Sequence, residues 1–491
     1  MLAQTGSHIQ SQIEFSEIMT SLDWVVFCLV LMVTFASVIY GQYQKRKHLG
    51  DIAQINHSSE ELEKANFLDL ILMGRKLTLP MFIATLVATW YGGIFGVTEI
   101  AFNHGIYNFI TQGLFWYMAY IIFAFFLIHK IAPYRAVTLP DLIGKMFGPK
   151  SAYLGAIFNF FNVLPIAYII SLGLFGQLIF GGSLFLNMLI GIIVVMGYSL
   201  LGGFRAVVFS DLIQFFVMCS GVFLALAISV STFGGLDFLK ANLPASHFQL
   251  TSDQGIGLTL VWGFIALSTL VDPNFYQRCF AAKSPLIAKR GILISTGIWF
   301  VFDICTTFGA MYARAVIPDA PSGLAYLIYV VQIVPDGLRG FFLAGILATI
   351  LSTLDSYIFL AGTTLAHDLV PPRWRGRPHF FHLGVFMVGA IGLMMAVIFE
   401  GNIKMVWRTL GSYSAACLLF PVVFGHLFPK RISDIQFVTT CTISALVVTV
   451  WRLYPLNSFW GQIDALYAGL ATTSILIFSS LAFNTYATQK S

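Results

Sequence analysis

A stripe of hydroxyl side chains lies in the middle of an apolar run at residues 341–369. Four hydroxyls spaced i, i+3, i+4 and i+7 share one face of a predicted helix: Thr349, Ser352, Thr353 and Ser356. Asp355 lies at the edge of this face. Hydroxyl and carboxylate oxygens are the hard donors that bind a small dehydrated cation. The alternative is that the hydroxyls bond to carbonyls of their own helix, but the neighbouring acid favours a cation site.

Two other apolar runs carry groups that a lipid-facing helix avoids. Asp211 lies about two turns into its run, where a carboxylate belongs to an ion or substrate path or to a structural pair. Gly92, Gly93 and Gly96 interrupt the centre of an earlier run. Such a cluster either loosens the helix, so that its carbonyls can bind a ligand or ion, or allows close helix packing.

Three further charged residues in or near apolar runs are less specific. We predict interface or packing roles for Glu99 and Arg408, and Asp303 could pair with Arg408 or with a polar helix face. The polar residues offer no nucleophile–base pair and no cluster of metal ligands, so the sequence does not predict an enzyme.

The composition is that of a membrane protein. Of the 491 residues, 58% are hydrophobic and 10% are charged, and the mean hydropathy is +0.83, whereas a soluble protein carries about a quarter charged residues. The apolar runs are long enough to cross a bilayer as helices. We predict an all-α polytopic membrane protein with thirteen transmembrane helices, near residues 23–41, 79–102, 106–130, 151–180, 184–201, 205–232, 255–274, 286–312, 339–368, 380–399, 405–428, 432–452 and 459–483.

Most of the 27 Lys and Arg fall in alternate loops, among them "QKRKHLG" and "QRCFAAKSPLIAKR". The positive-inside rule assigns these loops to the cytoplasm. We therefore expect an integral cell-membrane protein with its N-terminus outside and its C-terminus in the cytoplasm. Residues 1–22 are then an external tail, and residues 323–334 form an external helix on the protein or membrane surface.

Several segments resemble the sodium/solute symporter family of proline, pantothenate, sialic acid and sugar transporters. "GGFRAVVFSDLIQ" (202–214) resembles the family signature Gly-Gly-x-x-Ala-Val-x-x-Thr-Asp-x-x-Gln, with Ser210 in place of Thr. Further similar segments follow the family order: "FLDLILMGRKL" (67–77), "TLPDLIGKMFG" (138–148), "DPNFYQRCFAAKS" (272–284) and "STLDS … HDL" up to about residue 370.

The resemblance implies the inverted-repeat 5+5 core of the leucine-transporter type, with one leading and two trailing helices. The leading helix is then 23–41. The first inverted repeat spans 79–232 and the second spans 255–428. Residues 432–491 form the two trailing helices and a short cytoplasmic tail. Substrate is expected at midplane, between the broken first and sixth core helices.

The resemblance also implies a main sodium site between the first and eighth core helices. Carried over to this chain, the site consists of Ala88, Tyr91, Thr349, Ser352 and Thr353. The first helix contributes two carbonyls, and a register using Leu86 and Thr89 is the alternative to Ala88 and Tyr91.

Some members of the family have a second cation site, between the fifth and eighth core helices. The matching residues here are Asp211, Ser352, Asp355 and Ser356. Two carboxylates in one site are coupled, so they either hold a second sodium or share a proton. We favour sodium, and expect one or two Na⁺ as coupling ions.

The predicted function is sodium-coupled symport of a small polar organic solute (an amino acid, carboxylate or sugar) into the cell by alternating access. The candidate substrate-binding residues are Trp90, Tyr91, Asn159, Asn162, Trp262, Ser268 and Thr269, with Tyr168 nearby. Beyond solute, sodium and lipid, we expect no nucleic acid and no obligate protein partner. A transporter-like sensor with a separate signalling partner and a proton-coupled symporter are the alternatives.

Overall fold

The computed structural model describes residues 18–55, 59–199, 203–251, 254–371, 375, 378–454 and 463–490. The predicted N-terminal tail therefore lies largely outside the described residues, as does Gly202 of the signature segment. The described chain is helical, with no strand. Its α-helices are Ser21–Ile55, Ser59–Leu72, Leu79–Ala88, Ile94–His104, Phe115–Ile122, Ile128–Ile131, Leu139–Met146, Pro149–Asn162, Ile166–Phe180, Leu184–Ser199, Gly203–Phe233, Leu236–Asn242, Gly255–Leu267, Pro273–Ala281, Pro285–Val316, Ala325–Ile333, Leu338–Thr363, Pro378–Ile398, Ile403–Tyr413, Phe420–Leu427, Asp434–Leu453 and Ala465–Lys490.

Within the described residues, eleven helices are long and apolar enough to cross a membrane. They correspond to eleven of the predicted runs. The two other runs, 79–102 and 184–201, contain the shorter apolar helices Leu79–Ala88 and Leu184–Ser199. The all-helical membrane architecture is thus confirmed, and the count of thirteen stays a prediction.

The helix near the glycine cluster is interrupted, and we call it the first broken helix. Its first part, Leu79–Ala88, begins with Pro80 in the first turn, and its second part is Ile94–His104. Between them the chain runs close to other helices. A Cβ on Gly92 would lie 2.5 Å from the Thr353 Cβ, so only glycine permits this approach.

A second broken helix consists of Gly255–Leu267 and Pro273–Ala281. Asp272 ends the break, and its side chain accepts hydrogen bonds from the backbone N–H groups of Asn274 and Phe275. Aspartate at the N-cap followed by proline at the first helical position is a strong helix start. The second part therefore begins as a new helix.

The hydroxyl-bearing segment lies in the long helix Leu338–Thr363, here called the hydroxyl helix, which is buried along almost its whole length. It packs against Gly203–Phe233, the Asp211 helix. A Cβ on Gly345 would lie 3.1 Å from the Val217 carbonyl oxygen. Small residues at this crossing bring the two acid-bearing helices close together.

The predicted external helix at 323–334 is present as Ala325–Ile333. Residues 325–331 are all buried, so the helix packs into the protein and does not lie on the membrane surface.

Candidate functional site

Four oxygen atoms of the predicted main sodium site converge at the end of the first broken helix. The Ser352 hydroxyl lies 2.7 Å from the Ala88 carbonyl oxygen and 3.2 Å from that of Thr349. The Thr353 hydroxyl lies 3.5 and 3.1 Å from the same two carbonyls. All four residues are buried. Two carbonyls and two hydroxyls at these distances are a donor set that suits a small hard cation.

The break explains why the Ala88 carbonyl is available. The helix ends at Ala88, and the last carbonyls of a helix lack a partner further along the same helix. Hydroxyls of another helix take that place. This contact involves the Ala88 carbonyl, as in the register with Ala88 and Tyr91, whereas the alternative register would use the carbonyls of Leu86 and Thr89.

Tyr91 lies in the break, directly before Gly92. Its ring packs on Phe302, with 4.4 Å between the ring centroids. Gly92 lies against Thr353, so Tyr91 is held beside the converging oxygens. The structure therefore groups the five predicted residues around one junction of two helices.

The predicted second cation site is arranged differently. The Arg278 guanidinium lies between Asp211 and Ser356, 3.9 Å from the Asp211 carboxylate and 2.9 Å from the Ser356 hydroxyl. It also donates to the Thr85 hydroxyl at 3.2 Å and to the Asn274 side-chain oxygen. Arg278 and Asp211 are both fully buried, so a positive charge lies beside two of the four predicted residues.

The other two residues of the predicted second site have different partners. Ser352 belongs to the main site. Asp355 accepts a hydrogen bond from the Ser199 hydroxyl at 2.9 Å and is also hydrogen-bonded by Tyr198. Asp211 is hydrogen-bonded by Thr85, and its second oxygen has no hydrogen-bond partner among the described residues.

Sequence analysis assigned Arg278 to a cytoplasmic loop, and that assignment is wrong. Arg278 lies on the second part of the second broken helix and is fully buried. Because Asp272 and Pro273 start a new helix, the segment that follows packs inside the protein. The Asp-Pro pair in the sequence was the signal that predicts this helix start.

A cavity of about 120 Å³ lies between the two broken helices. Five of the predicted substrate residues line it: Trp90, Tyr91, Asn162, Trp262 and Ser268. Asn159 and Thr269 do not line the cavity. Asn159 donates a hydrogen bond to the Thr364 hydroxyl, and Thr269 donates one to the Ala266 carbonyl. Sequence analysis missed several lining residues: Gln112, Trp116, Asp272, Tyr357 and Trp407.

The helix Ile403–Tyr413, here called the Trp407 helix, separates this cavity from a larger one of about 740 Å³. Trp407 lines the smaller cavity, and Arg408 lines the larger one. A Cβ on Gly93 would lie 2.0 Å from Cζ2 of Trp407. The indole ring therefore lies directly on the break of the first broken helix.

The three less specific charged residues are paired. Glu99 contacts the Lys404 ammonium at 2.8 Å, and Arg408 contacts Asp464 at 2.6 Å. Asp303 accepts a hydrogen bond from the Tyr117 hydroxyl. The possible Asp303–Arg408 pair is therefore not present.

Comparison with known proteins gives one family. The profile of the sodium:solute symporter family matches residues 70–434. The sodium/pantothenate symporter of Escherichia coli is 25% identical over 60% of this chain, and the match covers 64% of that relative. For sodium/glucose cotransporter 4 of Danio rerio the identity is 24%, over 68% of this chain and 56% of the relative. The chain thus spans less than two thirds of the length of these relatives.

Solved structures show the same fold. A Na⁺-coupled sialic acid symporter in a substrate-bound outward-open state superposes with a TM-score of 0.73, at 14% identity, over 96% of this chain and 98% of the other. Mhp1, a nucleobase-cation-symport-1 family transporter, gives a TM-score of 0.56 at 13% identity, over 84% and 93% of the two chains. Both are transporters of the leucine-transporter fold.

Proposed function

Because this chain belongs to the sodium:solute symporter family, we propose that it is a secondary active transporter that couples sodium entry to uptake of a small polar organic solute. One observation carries the proposal. The carbonyls of Ala88 and Thr349 and the hydroxyls of Ser352 and Thr353 converge beside a small cavity at the break of the first broken helix.

The juxtaposition gives a physical basis for coupling. Ala88 supplies a cation ligand, and Trp90 and Tyr91, which follow it within three residues, line the solute cavity. A sodium ion bound at Ala88 therefore fixes the segment that also contacts the solute. A sodium ion that crosses a 100 mV inside-negative potential contributes about 2.3 kcal/mol to uptake, before any concentration gradient.

Alternating access follows from the proposed repeat architecture. The repeats would be 79–232 and 255–428, preceded by the helix 23–41 and followed by two helices in 432–491, which gives thirteen transmembrane helices. Rocking of one bundle against the other around a fixed midplane site would expose solute and sodium to each side in turn. The N-terminus would be external and the C-terminus cytoplasmic.

The experiment is uptake of radiolabelled solutes into proteoliposomes that contain the purified chain. We expect uptake with an inward sodium gradient and its loss when the gradient is collapsed with a sodium ionophore. A proton-coupled symporter would instead respond to a proton ionophore at constant sodium. Uptake that ignores both gradients would overturn the proposal, and solute binding without uptake would favour the sensor.

The charge of Arg278 affects how many sodium ions we expect to couple to transport, because it lies at the second predicted cation position. We propose that its guanidinium supplies the cation between Asp211 and Ser356, so that transport couples to one Na⁺ in this arrangement. A sodium ion there, held also by Ser352 and Asp355 as the family resemblance suggests, would require Arg278 to withdraw. A second positive charge beside a buried guanidinium would be repelled strongly at low dielectric.

The variants Arg278→Gln and Arg278→Lys test this proposal. The glutamine keeps hydrogen-bonding capacity but leaves Asp211 without its counter-ion, so a sodium ion should bind there and the Hill coefficient for Na⁺ should rise from about 1 towards 2. The lysine keeps the charge and should keep a coefficient of about 1. Sodium dependence that is identical in folded Arg278→Gln and the wild type would contradict the proposal.

A further inference from the structure

The 120 Å³ cavity has one charged side chain among its described lining residues, the carboxylate of Asp272. No lysine or arginine lines this cavity in the described part of the chain. Asp272 is half-buried, and one of its oxygens accepts the two backbone hydrogen bonds at the start of Pro273–Ala281. A carboxylate is thus fixed at the wall of a cavity that is otherwise without formal charge.

Aromatic rings form much of the remaining wall. Three of them are the indoles of Trp90, Trp262 and Trp407, and two are the phenols of Tyr168 and Tyr357. The face of an aromatic ring carries partial negative charge and attracts cations. Rings and carboxylate together therefore present a negative surface to any bound solute.

Two other observations narrow the chemistry. Gln112 lines the cavity, and its side-chain nitrogen is buried and has no hydrogen-bond partner among the described residues. This N–H group is therefore available to donate to a solute oxygen. The cavity is also smaller than the roughly 300–1,000 Å³ typical of drug-sized ligands. A solute with one cationic end and one acceptor oxygen satisfies both groups in this volume.

The basic side chains nearby do not reverse this polarity. In the adjacent 740 Å³ cavity, Arg408 is paired with Asp464, and Lys404 is paired with Glu99. The Arg278 guanidinium does not line the solute cavity and lies against Asp211 and Ser356. These three cations therefore each lie against a carboxylate other than Asp272. Arg452, which also lines the larger cavity, donates to the Thr409 hydroxyl and the Arg408 carbonyl.

We propose that the transported solute carries a positively charged nitrogen, which binds among the aromatic rings and against the Asp272 carboxylate. The solute class is a small ammonium compound or a zwitterion, and a sugar or a simple carboxylate is disfavoured. Like charge at Asp272 repels an anion. A neutral polyol could donate hydrogen bonds to the carboxylate, but it lacks the attraction between opposite charges that a nitrogen cation gains. This inference rests on the proposed function, since it names the solute of the same site.

Matched probes test the inference. Thermal unfolding of the purified full chain is measured in sodium with two pairs of nearly equal shape: choline with 3,3-dimethylbutan-1-ol, and proline with cyclopentanecarboxylate. Glucose serves as a polyol probe. We expect a rise in Tm with at least one nitrogen cation and none with its nitrogen-free counterpart. A shift with glucose or cyclopentanecarboxylate in place of the cations, or no shift with either nitrogen compound, would overturn the inference.

The variant Asp272→Asn isolates the charge. Asparagine is as good an N-cap as aspartate, so the helix Pro273–Ala281 should keep its start while the carboxylate is lost. We expect the affinity for the active nitrogen compound to fall about tenfold or more. The control variant Asp319→Asn removes an exposed acid outside the cavity and should leave the affinity for the nitrogen compound unchanged. An Asp272→Asn variant that alters sodium affinity but keeps the preference for the nitrogen compound would contradict the inference.

The outcomes also separate this inference from the proposed function. Sodium-driven uptake of a neutral or anionic solute would uphold symport and reject the cationic solute. Binding of a nitrogen cation, lost in Asp272→Asn, with no sodium-driven uptake would uphold the solute class and reject symport.

Discussion

At the scale of single residues, the proposed main cation position uses hydroxyls that also hydrogen-bond to backbone carbonyls. Ser352 and Thr353 share the Ala88 carbonyl as an acceptor. When a cation lies among these oxygens, the same hydroxyls turn their lone pairs towards it and cease to donate to Ala88.

Thr353→Ala should lower the apparent sodium affinity about tenfold, since one ligand of about 1–1.5 kcal/mol is lost. The measurement is the sodium concentration that gives half-maximal uptake. Thr349→Val is the matched control, because the Thr349 hydroxyl bonds to the Gly345 carbonyl of its own helix at 2.7 Å and the valine keeps the carbonyl ligand. Equal loss of sodium affinity in both variants would contradict the assignment.

At the scale of elements, the Trp407 helix and the first broken helix form one contact that separates the two cavities. The indole of Trp407 lies on Gly93, and a Cβ on Gly96 would lie 2.8 Å from Ile403. In the proposed alternating-access cycle this contact would open and close. Glycine allows it to close fully, because any side chain would hold the two helices apart.

Gly93→Ala should reduce uptake at least several-fold, since the added methyl group overlaps the Trp407 ring and overpacking costs about 1–3 kcal/mol. Trp407 also lines the solute cavity, so the double variant Gly93→Ala/Trp407→Leu is compared with Trp407→Leu alone. We expect the alanine to have little further effect in the leucine background. Gly197→Ala is the control, because nothing lies within 4 Å of its added Cβ. Full uptake by Gly93→Ala would show that the contact does not limit transport.

The second part of the first broken helix, Ile94–His104, ends beside the short 3-10 helix Ala245–Phe248, which contains His247. The His247 carbonyl accepts a hydrogen bond of 2.9 Å from the Ile106 N–H. The Nε2 atom of His247 lies 3.1 Å from the Phe102 carbonyl oxygen. Gly105 permits this approach, with φ at +61°. Burial, together with the positive charge of Arg314, lowers the pKa of His247 below its ordinary value of 6.5, against the hydrogen bond to Phe102.

Because the pKa is lowered in the native protein, the unfolded chain takes up a proton at His247 at a higher pH than the native protein does. Neutral His247 therefore makes its full contribution to the free energy of unfolding above about pH 6.5. This contribution is lost as the pH falls towards the pKa of His247 in the native protein. His247→Gln, which can still donate to Phe102, should lose less stability between pH 7.5 and 5 than the wild type. The measurement is Tm across this range. An identical decrease in both proteins would exclude His247 as the source.

At the scale of the whole molecule, most of the basic residues lie in alternate loops between apolar helices. Positive loops are retained in the cytoplasm during insertion. In the proposed orientation, the electrochemical gradient would drive sodium inward, towards the side of the basic loops. The orientation decides the direction of transport, so it is a prediction about function as well as about topology.

The orientation predicts which introduced cysteines react with a membrane-impermeant maleimide in intact cells. In a variant whose six native cysteines are replaced by alanine, Asp319→Cys should be labelled from outside. Lys150→Cys should be labelled only after the membrane is permeabilised. The reverse pattern would place the N-terminus in the cytoplasm.

The sequence by itself determined the features that depend on neighbouring residues. Apolar runs of membrane length predicted the helices, and the spacing of Thr349, Ser352 and Thr353 placed their side chains on one helical face. These are local properties, because a helix brings residues three and four positions apart together whatever else the chain does. The family motifs added the order of the elements.

Only the tertiary structure decided which groups meet. Arg278 was assigned to a loop because the predicted apolar run ends at residue 274, yet its partners Ser356 and Thr85 lie 78 and 193 residues away. Asp355 likewise meets Ser199, 156 residues away. Contacts between helices are set by how the breaks at Gly92 and Asp272 direct the chain, and no local periodicity encodes them. For this reason the sequence located the hydroxyl helix, while the charge beside Asp211 and the carboxylate in the 120 Å³ cavity required the fold.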